Sequence, residues 1–256
     1  MSPGMLFAYG VCFLLEAIVL LRCVQTRICR QYPLFFTYLA CVFLGDIAMY
    51  PAGKLLRPGA FRVCYWSKEF ICVILGYAVV MEVIERAFAH FEGPKRLGRN
   101  AAMFTFAVIV AVTAFDAAFQ RASDTIRTSI AVEANLRGAE LILLSIIIVV
   151  ISYYSIPIGR NLKGIIVGYG ICTVAVALNE AVRTFAGPSF QRTFSTIWSY
   201  SFIVSLVIWA VALWSYEASP APASWTHIDG DYEALASRTR STLAGMRGYF
   251  RRAVRP

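Results

Sequence analysis

Seven stretches of apolar residues, at 5–22, 34–50, 66–88, 101–119, 138–156, 163–182 and 194–216, constrain this chain more than any other feature it carries. Each is close to the ~20 residues that cross the hydrocarbon layer of a bilayer as a helix. A water-soluble domain could not hide them all. Of the 256 residues, 59% are hydrophobic and 15% charged, where globular proteins have roughly half and a quarter. Lipid leaves backbone N–H and C=O groups no partner outside the chain, so the spans are expected to be helices and not strands. Pro33, Pro51, Pro94, Pro157 and Pro188 fall in or beside the intervals, as breakers should. The expected fold class is an all-α, polytopic membrane protein with seven transmembrane helices.

Basic residues set the direction of threading. Arg22, Arg27 and Arg30 follow the first run, Arg86, Lys95, Arg96 and Arg99 the third, and Arg160 and Lys163 the fifth. With six arginines in the tail, that side holds fifteen basic residues against nine on the other. The amino terminus is expected outside and the carboxyl terminus in the cytoplasm. The first run reads as a retained span: no Lys or Arg precedes it, Glu16 interrupts it, and no small-x-small cleavage site follows. The net charge of +9 is then a matter of topology, and no nucleic-acid partner is expected. Arginine outnumbers lysine twenty to four and no Asn-x-Ser/Thr acceptor occurs, which leans toward a bacterial plasma (inner) membrane.

A shift of 132 residues lays Trp66, Ser67, Phe70, Ile71, Ala78, Val79 and Glu85 on Trp198, Ser199, Phe202, Ile203, Ala210, Val211 and Glu217, and Tyr77 on Trp209. The Trp-Ser pair and the terminal glutamate at one offset suggest a repeat, 1–90 and 133–217, flanking the fourth span within a bundle of residues 1–217. This three-plus-one-plus-three layout resembles the broad seven-helix group that holds sugar carriers, opsins and receptors. The resemblance is one of layout over most of the chain. It implies a solute site between the halves, as parallel repeats in transporters have. Two narrower likenesses fail. The last span, SFIVSLVIWAVALW, has no lysine for a retinal Schiff base, and Pro33 and Pro157 are followed by Leu34 and Ile158, not by glutamine.

Charge in the hydrocarbon region is expensive and marks candidate sites. On the inner half these are Glu16 and Glu82, the latter spaced i,i+4 from Arg86. Three readings stand: carboxylates solvated at the interface, protonatable or cation-binding groups within the bundle, and polar contacts between helices. Near the outer ends lie Asp46, Lys68 with Glu69, Arg137 with Glu140, and Glu180 with Arg183. Those residues would ring one mouth, either neutralising each other or lining a cavity for a small charged or zwitterionic solute. The spacing Gly164-x-x-x-Gly168 allows two helices to approach closely, more readily inside the bundle than between copies. Tyr153, Tyr154, Trp198, Tyr200, Trp214 and Tyr216 fall near span ends, where aromatic belts belong.

Residues 218–256 read as a Pro/Ala/Ser linker and a basic amphipathic tail. Acids at its start and arginines at its end suit the dipole of a helix lying on anionic inner-leaflet lipid, or docked on a cytoplasmic protein through 229–256. Seven cysteines, an odd number and mostly within apolar runs, do not make a disulfide framework. No P-loop, dinucleotide fingerprint, nucleophile elbow or metal-ligand cluster occurs. The chain is therefore expected to be no enzyme and to use no cofactor and no metal. Two functions fit: carriage of a small polar solute or ion, or a membrane sensor or accessory subunit acting through the tail.

Overall fold

The structure, a computed structural model, describes residues 3–119, 125–186 and 191–217, with 230, 233, 234, 237 and 241 in the tail. The expected tail helix therefore lies almost wholly outside the described residues. Among the described residues there is no strand. The helices are α1 (Pro3–Gln25), α2 (Ile28–Gln31), α3 (Pro33–Leu55), α4 (Pro58–Ala87), α5 (Glu92–Phe119), α6 (Thr125–Tyr153), α7 (Arg160–Ala186) and α8 (Gln191–Ala212).

Several helices outrun the apolar stretches that announced them. Pro58 takes the first turn of α4, where its missing N–H costs nothing and its fixed φ suits a helix. The helix therefore begins eight residues before the apolar run. Helix α6 begins at Thr125, thirteen residues early. Pro33 likewise opens α3, but Pro51 lies inside that helix and does not end it. It sits four residues from the last one, so only the closing turn is weakened. The α1–α2 corner turns through Arg27, whose φ of 59° lies in the left-handed region.

Among the described residues, four helices qualify as membrane spans by length and composition: Phe7–Gln25, Pro33–Leu55, Asn135–Tyr153 and Arg160–Asn179. In α8 the apolar stretch Thr196–Ala212 is shorter. Only 22% of the apolar window is buried in each of the first two spans. Phe7, Leu14, Leu21, Leu44 and Ile47 are turned outward. An apolar surface of that extent is stable against lipid and a liability in water.

Helix α1 packs on α3 and α8, α3 on α4, α4 on α6, α6 on α7, and α7 on α8. Six long helices thus close a ring, with α5 outside it against α4 and α6, and α4 reaching α7 across the middle. Exchanging α1, α3 and α4 for α6, α7 and α8 returns the same set of ring contacts. Ring centres are filled by aromatic side chains. Phe35 meets Trp209 edge-on at 5.1 Å, and Tyr38 meets Tyr169 at 5.5 Å and 85°. The two glycines of the small-xxx-small spacing do bring helices together within the bundle. A methyl at Gly164 would land on the Cβ of Ala212, and one at Gly168 on the indole of Trp209.

Candidate functional site

Among the described residues, three groups of charged side chains lie inside this apolar shell. The first joins α3, α4, α6 and α7. Arg137 and Glu140 lie in the first two turns of the apolar stretch Asn135–Tyr153, and Glu140 is near the middle of the 29-residue α6. That is ~22 Å from its first residue at ~1.5 Å per residue. Glu140 is 0% and Arg137 6% exposed. The Arg137 guanidinium stands 3.6 Å from Glu140 Oε2, and the Tyr169 hydroxyl donates to the same oxygen at 2.9 Å. Helix α4 approaches closely because position 76 is glycine. A Cβ there would strike the Tyr169 hydroxyl and lie 3.0 Å from Glu140 Oε1. The face of this assembly toward α3 is closed by Tyr38. Buried opposite charges of this kind survive only when held together with further hydrogen bonds.

The second group is Glu82. It is 5% exposed and does not turn to Arg86. Its carboxylate accepts the backbone N–H of Phe35 at 2.9 Å and of Leu34 at 3.3 Å. The first N–H groups of a helix have no partner within it, and the dipole makes that end positive. Tyr32 at the N-cap supplies no side-chain bond, so a carboxylate from α4 does so instead. Arg86 donates to the carbonyl of Gln31 and lies over the Tyr32 ring, 5.7 Å from its centroid. Of the three readings for Glu82, this geometry is the contact between helices.

The third group joins α3 and α4. Lys68 Nζ lies 2.7 Å from Asp46 and 3.4 Å from Glu69. Its stem runs over Gly45, where an added Cβ would lie 3.0 Å from Cγ and Cε. Glu16 on α1 is a separate buried acid. It is 1% exposed, and its Oε1 has no hydrogen-bond partner among the described residues. Phe13 of α1 stacks on Phe43 of α3 at 4.8 Å.

Of the residues expected to form sites, Asp46 and Glu69 are brought together on Lys68, Arg137 and Glu140 pair between buried helix faces, and Glu16 and Glu82 stand apart from both. The side chains of Glu180 and Arg183 lie outside the described residues. Sequence reasoning missed Tyr38, Gly76 and Tyr169, whose only signal is a pair of tyrosines in apolar helices. It also missed Asn161, fully buried, which donates to the carbonyls of Ala212 and Ser215 and accepts the N–H of Glu217. That side chain terminates α8, and an asparagine beside Arg160 was its one trace. All seven cysteines are free thiols. Among the described residues, no group of three or more His, Cys, Asp or Glu side chains is placed to hold a metal ion. Comparison with protein-family models, with curated proteins and with solved structures finds no match to this chain.

Proposed function

We propose that the protein is an integral membrane protein that binds a small polar solute or ion within its bundle and carries it across the bilayer. One observation carries the reading: Glu16, Arg137 and Glu140 are buried among helices whose outward surface is apolar. Charge in such a place is costly and is kept where it serves a pathway. We read α4, α5 and α8 as spans too, because they belong to the same ring or lie directly on it. That gives seven crossings, with the amino terminus outside and the basic tail in the cytoplasm. The plasma membrane is the fitting location, and the tail's partner is anionic inner-leaflet lipid. The matching ring contacts and the 132-residue offset support a duplication, and two equivalent halves rocking about Phe35, Tyr169 and Trp209 would give alternating access.

The test is flux into vesicles containing the purified protein, with a trapped pH dye, radiolabelled sodium and a radiolabelled amino-acid mixture as probes. The wild type should move at least one probe faster than empty vesicles, and Glu140→Gln should slow it. Equal rates for every probe would sink the proposal.

A second reading, a sensor or accessory subunit, is favoured by the aromatic filling of the ring centre, which leaves little room for a solute at rest. It requires a partner. Pull-down with and without residues 224–256 separates the two, since a tail-dependent partner favours this reading.

A further inference from the structure

We propose that the groove between Arg160 and Trp214 holds one anionic phospholipid of the cytoplasmic leaflet, its phosphate on Arg160 and an acyl chain along α8. The inference rests on the membrane reading and on the inward threading of this end, and not on transport. The groove has a volume of about 410 Å³ and is lined by Arg160, Ala210, Val211, Trp214 and Ser215. Its wall is apolar along Ala210, Val211 and Trp214, and polar at Ser215 and Arg160. The Arg160 guanidinium donates to Ser215 Oγ through Nη2, and its Nε stands 3.7 Å from Glu217. Those contacts engage two nitrogens of a planar fork that carries five N–H groups and fits phosphate. The Arg160 and Glu217 side chains are 49% and 56% exposed, so water screens their attraction and a phosphate can replace it.

Apolar surface continues the groove in one direction. Val211 and Trp214 end a row in which Ile197, Tyr200, Val204 and Val207 are also exposed. Steps of three and four put the row on one side of the segment. Leu206 and Trp209, on the other side, are buried where α8 packs on α1 and α7. Positive charge gathers in the other direction. Arg22 of α1 lies over the Trp214 ring, 3.6 Å from its centroid. Lys163 is exposed one turn along α7 from Arg160. Arg22, Arg160 and Lys163 thus set three positive charges against the carboxylate of Glu217. Tryptophan belongs at headgroup depth, and a basic recess between helices on the cytoplasmic side suits an anionic headgroup. A free phosphate would leave the apolar row uncovered, and a zwitterionic lipid would bring its own cation to the arginines. An anionic phospholipid satisfies both ends. The tail attracts the same leaflet through diffuse charge, whereas this groove holds one molecule.

The test is native mass spectrometry of the full-length protein, released from micelles carrying phosphatidylglycerol or phosphatidylcholine with the same acyl chains. The wild type should retain one phosphatidylglycerol in preference to phosphatidylcholine. A basic residue beside membrane anions contributes about fivefold. Arg160→Gln and Arg22→Gln should therefore each cut the preference by about that factor. Glu217→Gln removes the competing carboxylate and should raise retention several-fold, a gain that a misfolded variant cannot give. Arg251→Gln with Arg252→Gln, in the tail, should leave the preference as it is. Glycerol phosphate, a headgroup without acyl chains, should not displace the lipid at equal concentration. Equal retention of the two lipids by the wild type, displacement by glycerol phosphate, or a preference that follows the tail arginines and not Arg160 would overturn the site. Protease cleavage of the tail in right-side-out vesicles would overturn the threading and leave the groove's preference standing. No preference, with the tail protected, would do the reverse.

Discussion

Tyr169 on α7 donates its hydroxyl to Glu140 on α6 at 2.9 Å, and does so in the space where any side chain on residue 76 of α4 would have stood. Three helices thus meet at one hydrogen bond, on the line where the two halves of the ring touch.

Gly76→Ala tests that meeting point with a reversed sign. Alanine in a helix interior usually gains ~0.5–1 kcal/mol over glycine. Here its methyl collides with the Tyr169 hydroxyl, and overpacking should cost ~1–3 kcal/mol instead. Thermal unfolding in micelles should show a lowered midpoint, and Tyr169→Phe in the same chain should restore part of it. A raised midpoint for Gly76→Ala alone would contradict the packing.

Arg137 and Glu140 should behave as a unit. Removing one partner of a buried pair costs ~3–5 kcal/mol, because the other charge is left behind. Arg137→Met should therefore be more damaging than the Arg137→Met, Glu140→Leu double variant. A double-mutant cycle reads the difference, and additive losses would mean that the two charges do not rely on each other.

Glu82→Ala should cost ~1–3 kcal/mol, since the buried N–H of Phe35 and the partly buried N–H of Leu34 lose their acceptor. Glu82→Gln keeps an acceptor oxygen and should cost less. Both variants that fold should retain wild-type flux in vesicles, in contrast to Glu140→Gln. Lost flux in a stable Glu82→Gln would place that carboxylate on the pathway.

Asn161→Ala removes three hydrogen bonds that hold the end of α8 and its exit. The segment 212–217 should then open locally. Limited proteolysis should cut there several-fold faster, with little change in the global midpoint, because exit segments open below the cost of global unfolding. Unchanged cleavage would show that Arg160 and Glu217, 3.7 Å apart, suffice to keep the end closed.

The helical class and the preference for lipid were legible along the chain, because hydropathy is a local sum and backbone groups in hydrocarbon admit one regular solution. The Gly164-x-x-x-Gly168 contact was legible for the same reason, its spacing alone putting both residues on one face. The extra turns of α4 and α6 were not. Polar residues at a helix end carry no apolar signal, though nothing in Thr125–Arg137 stops a helix.

Which charge meets which was decided only by the lateral order and rotation of the helices. An i,i+4 spacing offered Arg86 to Glu82, but the start of α3, 47 residues away along the chain, presented bare N–H groups closer at hand. Glu16 reads in sequence as an acid near an interface. Only the packing of α1 on α3 and α8 buries it. Electrostatic energy depends on distances in space, and a linear pattern holds no record of those once they cross from one helix to another.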